Sequence, residues 1–323
     1  MSTLILLDGN NLAHRARHAY SLTGPDSLDV SVTFGFLNTL RYSLKLFDAD
    51  ACIIAWDGRI PKFRRDKVPT YKANRKKDDT YDDFLRQLKE LDEVLKCTGT
   101  VNVHRPAIEA DDLVYHAAYL GQEKYDKIII VSNDADLFQA VLLDNVRIYS
   151  PTKKALIDRE YVKEEYGIEV DQYVHWKALQ GDVSDNVRGV PGVGPVRATK
   201  LFQKYDTLTG IVNAAYGSNP NGPIKGKMGE NIMEFGLENI SKNVYVMSLH
   251  ADRTGARLAV TEEVADFEPA DVKKFKKFLF SKSFISIMDD QYFHDLRKLQ
   301  APALSIDKRT PVICDQRFPI EET

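Results

Sequence analysis

The chain is poor in cysteine. Cys52, Cys97 and Cys314 are three in 323 residues. They are far apart, odd in number and in no metal-ligand spacing, which excludes a disulfide framework or a thiolate metal site and fits a reducing cytosol. Long apolar runs are missing too. LILL near the start and KIIIV at Lys127–Val131 fall well short of the roughly 18 residues that span a bilayer. The N-terminus shows no basic region followed by a long apolar core, so a secretory leader is not expected. There is no internal repeat of solenoid period, and charge of neither sign predominates, the net being −3. With 43% hydrophobic and 28% charged residues and a mean hydropathy of −0.34, disordered and collagen-like classes are excluded.

What remains is an ordinary globular composition, long enough for roughly two domains at about 150 residues each. Leu4–Leu7, Ala51–Trp56 and Lys127–Ser132 are short, continuously apolar segments, the pattern of strands buried on both faces. Between them, 32–47, 81–97 and 110–120 carry apolar residues at helical spacing; Phe84, Leu88, Leu91 and Leu95 follow a 4-3-4 rhythm. The alternation predicts an α/β fold, a mostly parallel sheet with helices on both faces. From about Tyr161 the pattern becomes helices joined by Gly/Pro-rich turns, which puts a domain boundary near Asp158. The segment 217–229 reads as a loop, and 301–323, with Pro302, Pro311 and Pro319, as an extended tail.

Carboxylates stand where such a fold places its chemistry. Asp8 and Asp57 end the first two strands, and Asp134 and Asp136 follow the third. Glu109, Asp111 and Asp112 open a helix, and Asp182 and Asp185 sit in the turn QGDVSDN. Any one of these is more often a turn or cap residue than a ligand. Gathered at one sheet edge they would repel one another without a cation. Oxygen ligands with no His or Cys beside them select hard ions such as Mg2+ or Mn2+. That many acids suit two ions about 4 Å apart, as in phosphodiester hydrolysis.

Two further features point to nucleic acid. Gly58–Lys77 holds nine basic residues (Arg59, Lys62, Arg64, Arg65, Lys67, Lys72, Arg75, Lys76, Lys77) against one acid, Asp66. Phe63 and Tyr71 stand among them. Such a run is often only a solvated face, but cations track a phosphate backbone and aromatic rings stack on unpaired bases. GVPGVGPVRATKLF, 189–202, lacks the third glycine and the preceding strand of a dinucleotide fingerprint. It fits a hairpin between helices over 172–180 and 195–204, with Pro195 at a first helical position.

Together LLDGNNLAHR, AWDGRIPKFRRDKVPTYKANR, IEADDL, VSNDADLFQ and KALQGDVSDNVRGVPGVGPVRATKLF, in this order over residues 3–205, resemble the 5′-nuclease superfamily. Its members include flap endonucleases, phage 5′-3′ exonucleases and the 5′-nuclease domain of bacterial DNA polymerase I. The resemblance implies a Rossmann-like (PIN-like) nuclease domain over 1–158 with a basic arch at 58–84. A helical domain follows over 159–300, with a helix-hairpin-helix (helix-three-turn-helix) element at 172–205. Asp8, Asp57 and Asp111 match first-metal acids, Asp134 and Asp136 second-metal acids, and Glu109, Asp112, Asp182 and Asp185 the acids around them. Lys72 and Lys177 match lysines that act on the reacting phosphate, and Tyr71 an aromatic stacked near the scissile nucleotide. Arg64, Arg65 and Arg75, with Gly189, Gly192, Gly194 and Arg197, are the expected DNA contacts, the hairpin also with a potassium ion. The stretch between Arg75 and Phe84 is short beside a phage-type helical arch. Residues beyond about 210 match no motif.

The expectation is a monomeric, cytoplasmic, Mg2+-dependent (or Mn2+-dependent) 5′ nuclease, free-standing and phage-type or bacterial. It would cut 5′ flaps and degrade DNA and RNA-DNA ends in replication or repair, beside a polymerase or single-strand-binding protein and with no membrane. A PIN-type ribonuclease and a non-catalytic junction-binding protein are the alternatives.

Overall fold

The computed structural model describes residues 1–75 and 78–304; Lys76, Lys77, Cys314 and nearly all of the expected tail lie outside the described residues. The chain forms two compact units. One comprises the described parts of Met1–Arg59, Lys77–Leu156 and Asp252–Thr323; the other comprises Ile60–Lys76 and Ile157–Ala251.

The first unit is built on six strands: β1 (Thr3–Asp8), β2 (Ala51–Trp56), β3 (Val101–His104), β4 (Lys127–Val131), β5 (Val146–Ser150) and β6 (Ala155–Ile157). Their order is β3-β2-β1-β4-β5-β6, and the pairings β3/β2, β2/β1, β1/β4 and β4/β5 are parallel. The chain winds outward from β1 through β2 and β3, then returns to lay β4 on the other side of β1. This reversal leaves a crevice beyond the carboxyl ends of β1 and β4, where open α/β sheets place their sites. Alternate residues face opposite ways. Ile5, Leu7, Cys52, Ile54, Ile129 and Val131 pack into one core with the helices Ser31–Phe47 and Tyr81–Leu95. The helix Ala110–Gly121 packs against β1, β2 and β4.

β3, β5 and β6 escape a search for continuous apolar runs. Val101 and Val103 alternate with Asn102 and His104, and Val146 and Ile148 flank Arg147, because strands toward the sheet margins are less completely covered. A second difference is the chain beyond 251, expected in the helical domain. Val272, Phe275, Leu279, Phe293 and Leu296 join the sheet unit's core, and the helix Ala256–Ala265 packs on Ala110–Gly121. Burying that apolar face outweighs sequence proximity.

The second unit is helical, and it includes the basic segment from Ile60, which the sequence reading assigns to the nuclease domain. The helix Lys62–Lys67 and the turns up to Arg75 pack here, with Val68, Tyr71, Val187 and Val246 forming a small apolar cluster. The helix Tyr173–Gln180 leads into an antiparallel ribbon, β7 (Gly181–Asp182) with β8 (Val187–Arg188), then the turn 189–194 and the helix Pro195–Tyr205. Gly189 is required here: a Cβ would lie 2.1 Å from the Gln180 carbonyl carbon. The long helix Lys227–Met247, kinked at Gly236, packs on Tyr173–Gln180.

Candidate functional site

Asp8 is the last residue of β1 and caps the helix Gly9–Ala19, its Oδ1 accepting the Asn11 N–H at 3.2 Å. Gly9 permits the close crossing that follows, since a Cβ there would come within 2.6 Å of the Trp56 ring at the end of β2. Just beyond that ring, the Asp57 N–H donates to Asn10 Oδ1 at 2.9 Å. Asp57 Oδ1 accepts the Ala110 N–H at 2.8 Å. Asp57 thus caps the helix that Glu109, Asp111 and Asp112 open, so the end of β2 is joined to that acidic first turn. Glu109 and Asp112 are buried. Acids at this helix start are favoured by its unsatisfied N–H groups.

After β4, Ser132 Oγ donates to Asp8 Oδ2 at 2.8 Å and accepts the Asp134 N–H at 3.0 Å. Asp134 Oδ1 accepts the Asp136 N–H at 2.9 Å. Asn11 Oδ1 accepts the Asn133 N–H at 3.0 Å. The acids from β1, the β2 end and the β4 loop are therefore organised along one sheet edge, as the sequence predicts. The sequence reading does not single out Asn10, Asn11, Ser132 and Asn133, which hold them there. Small polar residues adjoining strand-end acids were the available signal.

Asp8 is only 3% exposed. Burial first, then the neighbouring charges of Asp134 and Asp57, push its carboxyl up to about 7, against the lowering effect of the Ser132 and Asn11 hydrogen bonds. Three acids in one field, one of them desolvated, is an arrangement that a divalent cation relieves.

The helical unit carries a second set. Lys177 Nζ meets Asp182 Oδ2 at 2.6 Å, both side chains largely buried. Burial alone would raise the Asp182 pKa. The Lys177 charge and hydrogen bonds from Lys177, Ser184 and Asp185 outweigh it and hold the carboxyl down at about 2. Asp185 accepts the Tyr71 hydroxyl at 2.8 Å and Arg75 Nη2 at 3.1 Å, with Lys72 Nζ at 3.9 Å.

Two expectations change. Arg64 is 3% exposed and its Nε donates to the Val246 carbonyl at 3.0 Å, so it is a packing residue of the helical unit rather than an outward DNA contact. The Tyr71 ring lies in the cluster with Val68, Val187 and Val246, its hydroxyl on Asp185, so the ring is not presented for stacking on a nucleotide. The remaining expected contacts are open: Arg65, Arg75, Gly192, Gly194 and Arg197 are exposed and Gly189 partly so. Arg197 Nη1 donates to the Gly192 carbonyl at 2.6 Å, bracing the hairpin.

The family of the chain is decided by comparison. Residues 3–167 match the 5′-3′ exonuclease N-terminal resolvase-like domain, and residues 168–272 the 5′-3′ exonuclease C-terminal SAM fold. The chain is similar to the thermostable DNA polymerase I of Thermus thermophilus, 30% identical over 304 residues that cover 93% of this chain and 34% of that protein. It is 34% identical to the Thermus aquaticus enzyme over 210 residues, 65% of this chain and 25% of that one. It thus spans about a quarter to a third of these relatives. In fold it is similar to a bacteriophage T5 protein co-crystallised with metal ions, with a TM-score of 0.66 and 23% identity over 89% of this chain and 100% of that one. No helix among the described residues is long and apolar enough to cross a membrane. With the two domain models meeting end to end over residues 3–167 and 168–272, the chain belongs to the 5′-3′ exonuclease family.

Proposed function

We propose that the chain is a divalent-metal-dependent 5′ nuclease that removes 5′ flaps and degrades DNA and RNA-DNA ends 5′ to 3′. The observation that carries this is the buried Asp8 carboxyl, raised by burial and by Asp134 and Asp57: an acidic edge that favours a bound cation. The all-oxygen donor set suits Mg2+, with Mn2+ as a substitute. Asp8, Asp57 and Asp111 would hold one ion, Asp134 and Asp136 a second, and Glu109 and Asp112 would orient them. Ions bound there supply an activated water and neutralise charge on the phosphate. The chain's own part is positioning: Ser132 and Asn11 fix the Asp8 carboxylate, Lys72 and Lys177 offset charge developing on the phosphate, and a 5′-phosphate product leaves. Asp182 and Asp185, expected from the sequence among the acids around the ions, would serve those lysines as counter-charges.

The turn 189–194 and Arg197 would bind the duplex backbone, and Arg65 and Arg75 the strand near the cut. A potassium ion in the hairpin would draw on backbone carbonyls of the turn, where Pro191 and Gly192 each accept one hydrogen bond, from Asn231 and Arg197, and keep a second lone pair. A monomer acting in the cytoplasm beside a polymerase completes the reading. A labelled 5′-flap duplex incubated with Mg2+, with EDTA as control, tests it. Release of a short 5′-labelled product is expected, and a flap bound but left intact in Mg2+ would favour a non-catalytic junction binder.

A further inference from the structure

Lys72 is a lysine in the left-handed region, φ 55°, and so is Asn186 across from it, φ 57°. A lysine holds such an angle only where its surroundings enforce it. Here the two turns enforce each other. The Lys72 N–H donates to the Asp185 carbonyl at 2.9 Å. Asn74 Nδ2 reaches the Val183 carbonyl at 2.9 Å, and Asn186 Nδ2 reaches the Thr70 carbonyl at 2.8 Å. Around these, Asp185 takes the Tyr71 hydroxyl and the Arg75 guanidinium. The Lys72 side chain is 9% exposed, its ammonium 3.9 Å from Asp185 Oδ1 and 5.1 Å from the Tyr71 ring centre. Two uncharged amides thus stitch the segment bearing Lys72 onto the turn 182–186.

We propose that Asn74 and Asn186 are positioning residues, which hold the 70–75 segment in the strained form that aims Lys72 at the reacting phosphate. The proposal rests on the phosphate role given to Lys72 above. Without the two amides the segment relaxes toward ordinary backbone angles and carries the ammonium away. DNA affinity, spread over other cations, changes little.

The test is a cycle on the 5′-flap substrate in Mg2+ with Asn74→Ala, Asn186→Gly (which keeps the backbone angle), Lys72→Ala and the Asn74→Ala/Lys72→Ala pair. Expected are a roughly tenfold lower kcat for each amide variant, KM within about twofold, and no further loss when Asn74→Ala is added to Lys72→Ala. Asn74→Gln, which keeps an amide, should recover part of the rate. Trypsin cleavage after Lys72 and Arg75 should speed up several-fold in Asn74→Ala. Additive losses in the double variant, or a trypsin rate equal to the parent's, overturn the proposal. Full turnover by Lys72→Ala would instead remove the phosphate role of Lys72, and with it the catalytic part of this inference; the trypsin rate reports on the stitching separately.

Discussion

Ser132 Oγ and Asp8 Oδ2 lie 2.8 Å apart, and the hydroxyl that donates there also accepts the Asp134 N–H at 3.0 Å. One hydroxyl therefore ties the acid of β1 to the acid-bearing loop after β4 and fixes the direction of a buried carboxylate. Ser132→Ala removes the donor that partly offsets desolvation of Asp8. A loss of about 1–3 kcal/mol in stability is expected, with Mg2+ binding weakened at pH 7. A Mg2+ titration of the thermal midpoint checks both.

The raised Asp8 pKa makes a signed pH prediction. Unfolded, this carboxyl ionises near pH 4; folded, it ionises at about 7. Between those values the folded state holds the extra proton, so metal-free stability falls as pH rises from about 4 to 7 and stays low above it. The bound cation requires the ionised form. The Mg2+-induced rise in Tm should therefore be small at pH 5.5 and large at pH 8, and Asp8→Asn should raise the Tm in EDTA at pH 8 while abolishing the Mg2+ effect. A Mg2+ shift independent of pH would contradict this origin.

Asp134→Ala or Asp136→Ala should abolish flap cleavage while leaving DNA affinity within a few-fold, because phosphate contacts elsewhere dominate binding. Single-turnover cleavage beside a binding isotherm in Ca2+ separates the two effects. Retained turnover in Mg2+ would remove these residues from the metal set.

The Lys177–Asp182 pair behaves in the opposite sense to Asp8. Asp182 is held down at about 2, so its contribution is present above pH 4 and is lost as pH falls toward 2. Lys177→Ala leaves a largely buried carboxylate unpaired and should cost roughly 3 kcal/mol at pH 7. The loss should shrink on acidification, as urea melts at pH 7 and pH 3 would show.

Phe275 is fully buried in the sheet unit's core although it lies far along the chain from the strands. Phe275→Ala should cost about 3–5 kcal/mol, and hydrogen exchange should quicken in β1 and β4. Faster exchange confined to the helical unit would place the segment beyond residue 251 there.

The local code was legible where one residue type answers one physical demand. Continuous apolar runs marked β1, β2 and β4; the 4-3-4 rhythm marked the helix at Tyr81; Pro195 marked the helix after the hairpin. Strand-end acids marked the candidate site, since Asp8, Asp57 and Asp134 each adjoin a strand whose burial leaves only its carboxyl end for chemistry. Long-range partnership was not legible. That Arg64 turns inward to the Val246 carbonyl, that Tyr71 spends its hydroxyl on Asp185, and that the chain after residue 251 rejoins the sheet are each decided by which surfaces meet. A side chain's type states what it can bond to, but which partner it meets depends on burial and packing, which no local pattern of residues encodes.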